Sequence, residues 1–420
     1  TYMQGKIIVG TDTRVSNQML KHAVFSGLLS SGCDVVDMNI APTPAVQYAV
    51  KCADVNGGVI ITASHNPPEF NGIKCIDVNG LETSHVDEEK IEAIYFSKRF
   101  KLAKWDEVGK VEADQILINE YIEAIIKQVD VPLLKKSRLK VVVDCANGAG
   151  CSVTPYLLRK LGCEVITLNA QPDGTFPGHN SEPVEENLQD LMKMVKLCKA
   201  DVGVAHDGDA DRAIFIDENG RYIYGDKTLA LVAKEMVKEN KGGIVVTPIS
   251  SSSCIEDVVK ENRGKVEYTQ VGSPIVARKM IETKAIFGGE ENGGLIFPKH
   301  QYCRDAAMAA AKILEIIAKK GKKISELIGE IPKYELRKIK TYCANEKKDK
   351  VLKKLIEKMK DKKIETMDGI KIFFDEGWVL IRPSGTEPMY RIFAETKEKE
   401  AAERLVKEHK KIVEDIIKEV

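Results

Sequence analysis

Short, uninterrupted apolar runs alternate with stretches of helical spacing along most of the chain. Lys6-Ile7-Ile8-Val9-Gly10 is one such run. It ends in Thr11-Asp12-Thr13-Arg14, and from Asn17 onward Leu20, Val24 and Leu28 fall on one helical face. Gly32 punctuates the helix, and residues 33–38 supply a second apolar run. The same order is written twice more. Residues 140–144 lead through Asn147-Gly148-Ala149-Gly150 into a helix and the run 161–166; residues 243–247 lead through 250–253 into a helix and the run 264–268. Strands that are continuously apolar, rather than alternating, belong to sheets covered on both faces. The pattern predicts three related α/β units with largely parallel sheets, and phosphate-friendly loops after their strands.

Between the first two units, residues 114–129 read as helix and 132–138 as a linker. A long helix is predicted over 306–319, with Ile331-Pro332 marking a boundary. Beyond it the grammar changes to a helix around 349–360, short strands at 370–374, 378–381 and 391–395, and a final helix over 399–418. That helix carries Leu405, Ile412 and Ile416 on one face. The fold class expected is therefore α/β: three similar mixed or parallel-sheet α/β domains plus a C-terminal α+β domain. The predicted boundaries are 1–132, 133–240, 241–333 and 334–420. The lysine-rich run 346–363 reads as a solvated helix face rather than a nucleic-acid patch.

With 420 residues, the chain is too long for one ordinary core. Lys+Arg and Asp+Glu are equal at 63 each, so no global basic field points to nucleic acid or an anionic membrane. No apolar run reaches the length of a membrane span, and no signal peptide is visible. Ten cysteines without a C-x-x-C pair argue against structural zinc or a disulfide framework. Cys33, Cys145 and Cys163 read as buried, reduced thiols of a cytoplasmic protein. The chain opens Thr1-Tyr2-Met3-Gln4 and reaches a strand almost at once, which reads as a natural beginning that is missing. That reading predicts an unpaired edge at the strand starting at Lys6.

Four loops carry candidate chemistry. The run Gly58-Val59-Ile60-Ile61 stops at Thr62-Ala63-Ser64-His65-Asn66-Pro67-Pro68, and Asn71-Gly72 turns the chain back towards Lys74. Pro67 prevents the strand from continuing into a helix, so Ser64 sits on an irregular loop at the end of a stiff strand. A capping serine is the plainer reading. In His206-Asp207-Gly208-Asp209-Ala210-Asp211-Arg212, carboxylates at alternate positions can converge on one divalent cation, and all-oxygen ligation suits Mg²⁺ or Mn²⁺. An acidic turn is the alternative there, and Arg212 would steady the carboxylates or hold a phosphate. The loop Arg382-Pro383-Ser384-Gly385-Thr386-Glu387-Pro388 places an arginine, hydroxyls and glycine amides after a strand, as a phosphate ester requires; a plain turn competes. Gly288-Gly289-Glu290-Glu291-Asn292-Gly293-Gly294 offers polar acceptors suited to sugar hydroxyls, but glycine-rich acidic turns are common.

Together and in this order, the four loops resemble those of the α-D-phosphohexomutase superfamily: the phosphoglucomutases, phosphomannomutases and phosphoglucosamine mutases. The likeness runs over essentially the whole chain. It implies four domains around a central cleft. It also implies an isomerase that interconverts hexose 6-phosphate and hexose 1-phosphate through a phosphoserine and a hexose 1,6-bisphosphate. By resemblance Ser64 is the phosphoserine, and Arg14, His65 and Lys74 share the catalytic site. Asp207, Asp209, Asp211 and a phosphoserine oxygen of Ser64 hold Mg²⁺. Arg212, Glu290, Asn292, Arg382, Ser384, Gly385 and Thr386 bind substrate.

The resemblance is incomplete in two places. The family's opening strand and Gly-Ile-Arg-Gly-like loop are absent. The sugar loop has Asn292 and Gly294 where the commoner pattern has serine and histidine, with Arg304 in place of a glycine before Asp305; this form resembles an archaeal-type subgroup. The substrate expected first is glucosamine phosphate, then mannose or glucose phosphate. A metal-dependent sugar phosphatase is the remoter alternative, opposed by the second phosphate-gripping loop. A non-catalytic paralogue would need a lost serine, lysine or aspartate, and none is lost. The partners expected are a small sugar phosphate, no nucleic acid and no membrane, with the protein a monomer or homodimer.

Overall fold

The computed structural model describes residues 2–114, 116–385 and 387–420. In the first domain β1 (Lys6–Thr11), β2 (Asp34–Ile40), β3 (Gly57–Ile61), β4 (Ile73–Ile76) and β5 (Val111–Ala113) form one sheet in the order β4-β3-β1-β2-β5. β1 runs parallel to both β2 and β3, and β4 returns antiparallel along β3. The second domain repeats this arrangement. β6 (Lys140–Asp144) lies parallel between β7 (Glu164–Leu168) and β8 (Val202–His206); β9 (Ala213–Asp217) returns along β8, and β10 (Tyr222–Ile223) lies outside it. In the third, β11 (Gly243–Pro248) lies parallel between β12 (Gly264–Thr269) and β13 (Phe287–Gly289), with β14 (Leu295–Ile296) returning along β13. The repeat legible in the sequence is thus a repeat of topology.

One consequence organises the molecule. The hairpin between the third strand and its antiparallel return carries residues 62–72 in the first domain, 207–212 in the second and 290–294 in the third. Three of the four candidate loops are therefore the same structural position used three times.

Two expectations are corrected. β1 has no free edge: its almost wholly buried apolar run takes the centre of the sheet, between β2 and β3, and the outer strands are β4 and β5. Residues 132–138 are not a linker, because Val131–Ser137 is a helix whose N-cap, Asp130, accepts a hydrogen bond from the Leu133 amide, with Pro132 in the first turn.

The fourth domain is α+β. β15 (Glu335–Tyr342), β16 (Lys363–Glu365), β17 (Ile370–Phe374), β18 (Gly377–Pro383) and β19 (Met389–Thr396) form an antiparallel sheet in the order β15-β19-β18-β17-β16. The helices Lys348–Lys358 and Lys399–Glu419 bury Val351, Leu355, Leu405, Val406, Val413 and Ile416 in a core of the domain's own. One larger core joins the first three domains. Through it runs the helix Ala306–Lys320, buried from Ala306 to Ile317, where five alanines let neighbouring elements approach closely. All ten cysteines are free thiols. Among the described residues no helix is long and apolar enough to cross a membrane.

Candidate active site

The loop after β3 is held from beneath by one side chain. Arg14 is 1% exposed. Its Nε donates to Asp12 Oδ2 at 3.0 Å, and its two terminal nitrogens donate to the carbonyls of Ser64, Asn66, Pro67 and Phe70 at 2.8, 2.6, 2.5 and 2.9 Å. All five guanidinium donors are used inside the protein. Asp12 also accepts from Thr62 Oγ1, whose oxygen in turn accepts the Ser64 amide at 2.8 Å. This network keeps Ser64 at φ 51°, a left-handed conformation uncommon for a residue with a side chain. The strained backbone delivers Ser64 Oγ to Asp207 Oδ2 at 2.9 Å.

Asp207, Asp209 and Asp211 converge as their spacing suggested, with one oxygen of each within 4.8 Å of the others. All three are buried. Gly208 matters here for closeness: a Cβ on it would lie 2.6 Å from the Ser64 carbonyl oxygen. Thr43 Oγ1 and Lys74 Nζ donate to Asp209 Oδ2 at 2.7 and 3.2 Å, and Arg304 pairs with Asp211 Oδ2 at 2.5 Å. The other oxygens, Asp209 Oδ1 and Asp211 Oδ1, are buried without a hydrogen-bond partner. Burial, then the charges of Asp211 and Asp209, hold the Asp207 carboxyl well above the usual carboxylate range. Burial pushes Asp209 the same way, but Lys74 and Thr43 outweigh it and bring its carboxyl below that range. Buried carboxylate oxygens without a hydrogen-bond partner, in a cluster whose burial disfavours the ionised form of Asp207, fit a hard divalent cation.

His65 and Lys74 flank this centre in opposite protonation states. Burial, then the Arg212 charge, push the His65 imidazole down to about 4; its Nδ1 lies 3.5 Å from Ser64 Oγ. Burial works against the Lys74 charge, but Asp209 and Glu82 more than offset it and raise the ammonium above its ordinary value. Arg212 Nε stands 3.7 Å from both Asp207 and Asp211.

The sugar-type loop is a tight turn in which Glu290 donates its amide to the Gly294 carbonyl at 2.8 Å and Asn292 Oδ1 accepts from the Gly294 amide at 3.1 Å. The Gly293 carbonyl accepts from the Ala213 amide, which ties the turn to the end of the aspartate loop. Glu290 is buried and paired with Arg304 at 2.6 Å, whereas Glu291 pairs with Lys338 from the fourth domain at 3.0 Å. In the fourth loop, Arg382 Nε lies 2.9 Å from Asp368 Oδ2, and its terminal nitrogens have no partner among the described residues. Ser384 is buried and its Oγ accepts from the Glu387 amide, while Gly385 is exposed. Thr386, predicted as a phosphate ligand, lies outside the described residues.

Several residues of this arrangement escaped the sequence reading. Thr43 opens a helix and gives no local sign of reaching Asp209. Lys348 belongs to the run read as solvated, yet it is buried and donates to the carbonyls of Ser384 and Glu387 at 2.5 and 2.7 Å. Arg304 stood out only as a departure from pattern.

Four sequence families match the chain, the phosphoglucomutase/phosphomannomutase alpha/beta/alpha domains I, II and III over residues 1–102, 119–220 and 224–334 and the C-terminal domain over 339–412. A phosphoglucomutase/phosphomannomutase of Thermococcus kodakarensis is 54% identical, covering 98% of this chain and 90% of the relative. A probable phosphoglucosamine mutase of Methanopyrus kandleri is 42% identical over 99% and 92%. The crystal structure of a phosphoglucomutase/phosphomannomutase family protein from Burkholderia thailandensis superposes with a TM-score of 0.88 at 28% identity, covering 98% of this chain and 89% of that one. The chain belongs to the phosphoglucomutase/phosphomannomutase family within the α-D-phosphohexomutase superfamily, and it is an isomerase that moves a phosphoryl group within a hexose phosphate.

Proposed function

We propose that this chain is a phosphoglucosamine mutase, converting glucosamine 6-phosphate to glucosamine 1-phosphate with Ser64 as the phosphoryl carrier. The observation that carries the role of Ser64 is its Oγ at 2.9 Å from Asp207, on a backbone strained to put it there. The phosphoryl group leaves Ser64 Oγ for a sugar hydroxyl: the P–O bond to Ser64 breaks as the one to the sugar forms, and the hydroxyl's proton passes through a base of the site to the freed Ser64 Oγ. The resulting hexose 1,6-bisphosphate turns over in the cleft, and the phosphoryl from the other end returns to Ser64 Oγ. His65, neutral at pH 7, is the base in reach of Ser64 Oγ, and Lys74, firmly protonated, supplies fixed positive charge beside the transferring group. Asp207, Asp209 and Asp211, with a phosphoserine oxygen, would hold Mg²⁺, which would supply charge compensation for the transferred group. Arg382, Ser384, Gly385 and Thr386 grip the non-reacting phosphate, Glu290 and Asn292 take ring hydroxyls, and Arg212 faces the phosphoryl side.

The amino-sugar assignment rests on the second relative's name. The name of the more similar one supports glucose or mannose phosphate as the second reading. Turnover of glucosamine, mannose and glucose 1-phosphates, measured side by side with release of inorganic phosphate, separates these readings from each other and from a phosphatase. Intact mass after incubation with a hexose 1,6-bisphosphate should show one added phosphate, absent in Ser64→Ala. Phosphate uptake by that variant would remove Ser64 from the mechanism.

A further inference from the structure

Two positions at which this sequence departs from the commoner pattern, Gly294 and Arg304, prove to be a single feature. A Cβ built on Gly294 would lie 2.1 Å from Arg304 Cδ and 2.8 Å from its Cγ. Any larger residue at 294 would occupy the path that the Arg304 side chain takes. Along that path Arg304 reaches two loops at once. Its Nη1 donates to Glu290 Oε2 of the third-domain hairpin at 2.6 Å; its Nε and Nη2 both face Asp211 Oδ2 of the second-domain hairpin, at 3.2 and 2.5 Å. The pairing occupies Asp211 Oδ2 and leaves Asp211 Oδ1 buried without a hydrogen-bond partner, 3.7 Å from Arg212 Nε. Glu290 passes the connection on. Its Oε1 accepts the Gly272 amide at 3.1 Å, the adjacent Val271 amide donates to Asp368 Oδ2 at 3.1 Å, and Asp368 pairs with Arg382.

We infer that Arg304 is a positioning residue that fixes the sugar-binding hairpin against the cation-binding hairpin, so that cation and sugar phosphate each tighten the binding of the other. The inference rests on the functional reading above. A planar guanidinium suits this role because its fork holds two carboxylates in a set relative geometry, whereas an ammonium keeps the charge without that geometry. Spatial continuity alone does not establish coupling; a measured coupling free energy does.

The test uses the full chain carrying Ser64→Ala, in which no transfer competes with binding. Mn²⁺ affinity is read by electron paramagnetic resonance with and without glucosamine 6-phosphate, and the affinity for glucosamine 6-phosphate by calorimetry with and without Mn²⁺. Each ligand should tighten the other by about tenfold. Adding Arg304→Lys should bring that factor to within about twofold of unity, while each separate affinity falls by less than the lost coupling. Gly294→Ala, which pushes the guanidinium aside from the opposite direction, should reduce the factor too and serves if the lysine variant folds poorly. A coupling factor that survives in both variants, or is absent with Arg304 in place, overturns the inference. If Mn²⁺ binds but no glucosamine, mannose or glucose 6-phosphate does, the functional reading itself has failed and the inference falls with it.

Discussion

The loop that presents Ser64 and the loop that presents Arg382 are built on the same device with different tightness. In each, a buried cation draws backbone carbonyls inward: Arg14 holds those of residues 64, 66, 67 and 70, and Lys348 holds those of 384 and 387. The arginine of the first loop has spent every donor on the protein. The arginine of the second, Arg382, pairs with Asp368 through Nε, and among the described residues its terminal nitrogens have no partner. On the proposed function, the first arrangement would hold the Ser64 hydroxyl still, as in-line transfer demands. The second would, on the same proposal, leave charge and donors for a phosphate that is seized at either end of the sugar and released again. Arg14, which the sequence suggested as a catalytic residue, thus acts in this geometry through the loop it holds, while Arg382 is free to touch a ligand.

The comparison can be broken at several points. Arg14→Lys keeps the charge beside Asp12 but cannot span four carbonyls. Turnover should fall by about 100-fold with Mn²⁺ affinity nearly unchanged, because a displacement near 1 Å of a reacting group has that cost. A fall in metal affinity without loss of turnover would mean that the clamp serves the aspartates instead. In the second loop the signature should be reversed. Arg382→Lys should raise KM for the sugar phosphate by about tenfold and leave kcat within a few-fold, since fork-like phosphate recognition is lost while the seat of Ser64 is untouched. Lys348→Met should act more weakly on the same parameter and lower stability by about 1–3 kcal/mol in urea unfolding, as two inward carbonyls lose their donor.

The smallest effect concerns how the fourth domain is attached. Lys371 lies 4.0 Å over the Trp378 ring and donates to the Ile249 carbonyl of the third domain. Burial lowers its ammonium to about 8 from the ordinary 10.5. Below pH 8 both folded and unfolded chains carry the proton and the burial cost is present in full. Between about 8 and 10.5 the unfolded chain binds more protons, so this group's contribution to stability rises with pH. Lys371→Met should remove roughly 1 kcal/mol of pH dependence between pH 8 and 9 in paired urea titrations. Parallel curves for the two proteins would show that Lys371 titrates normally.

The chain by itself determined a good deal. Continuous apolar runs dictated two-sided sheets, and β1, β6 and β11 recur at the head of each unit because the same pattern of run, turn and amphipathic helix recurs. The Asp207–Asp211 spacing was enough to bring three carboxylates together, since a short hairpin turn leaves alternate residues little else to do. Proline and glycine at 67 and 72 marked a loop where a strand would otherwise continue. What the sequence could not show is which distant residues serve these loops. Thr43, Arg304, Lys348 and Asp368 are ordinary polar residues in their local contexts, and their roles exist only because packing carries them to Asp209, Glu290, Ser384 and Arg382. The central place of β1 was likewise set by pairing partners 28 and 50 residues away. Local pattern encodes burial and turn geometry because those depend on neighbours in the chain. Charge pairing and hydrogen-bond satisfaction depend on neighbours in space, and only the tertiary structure decides them.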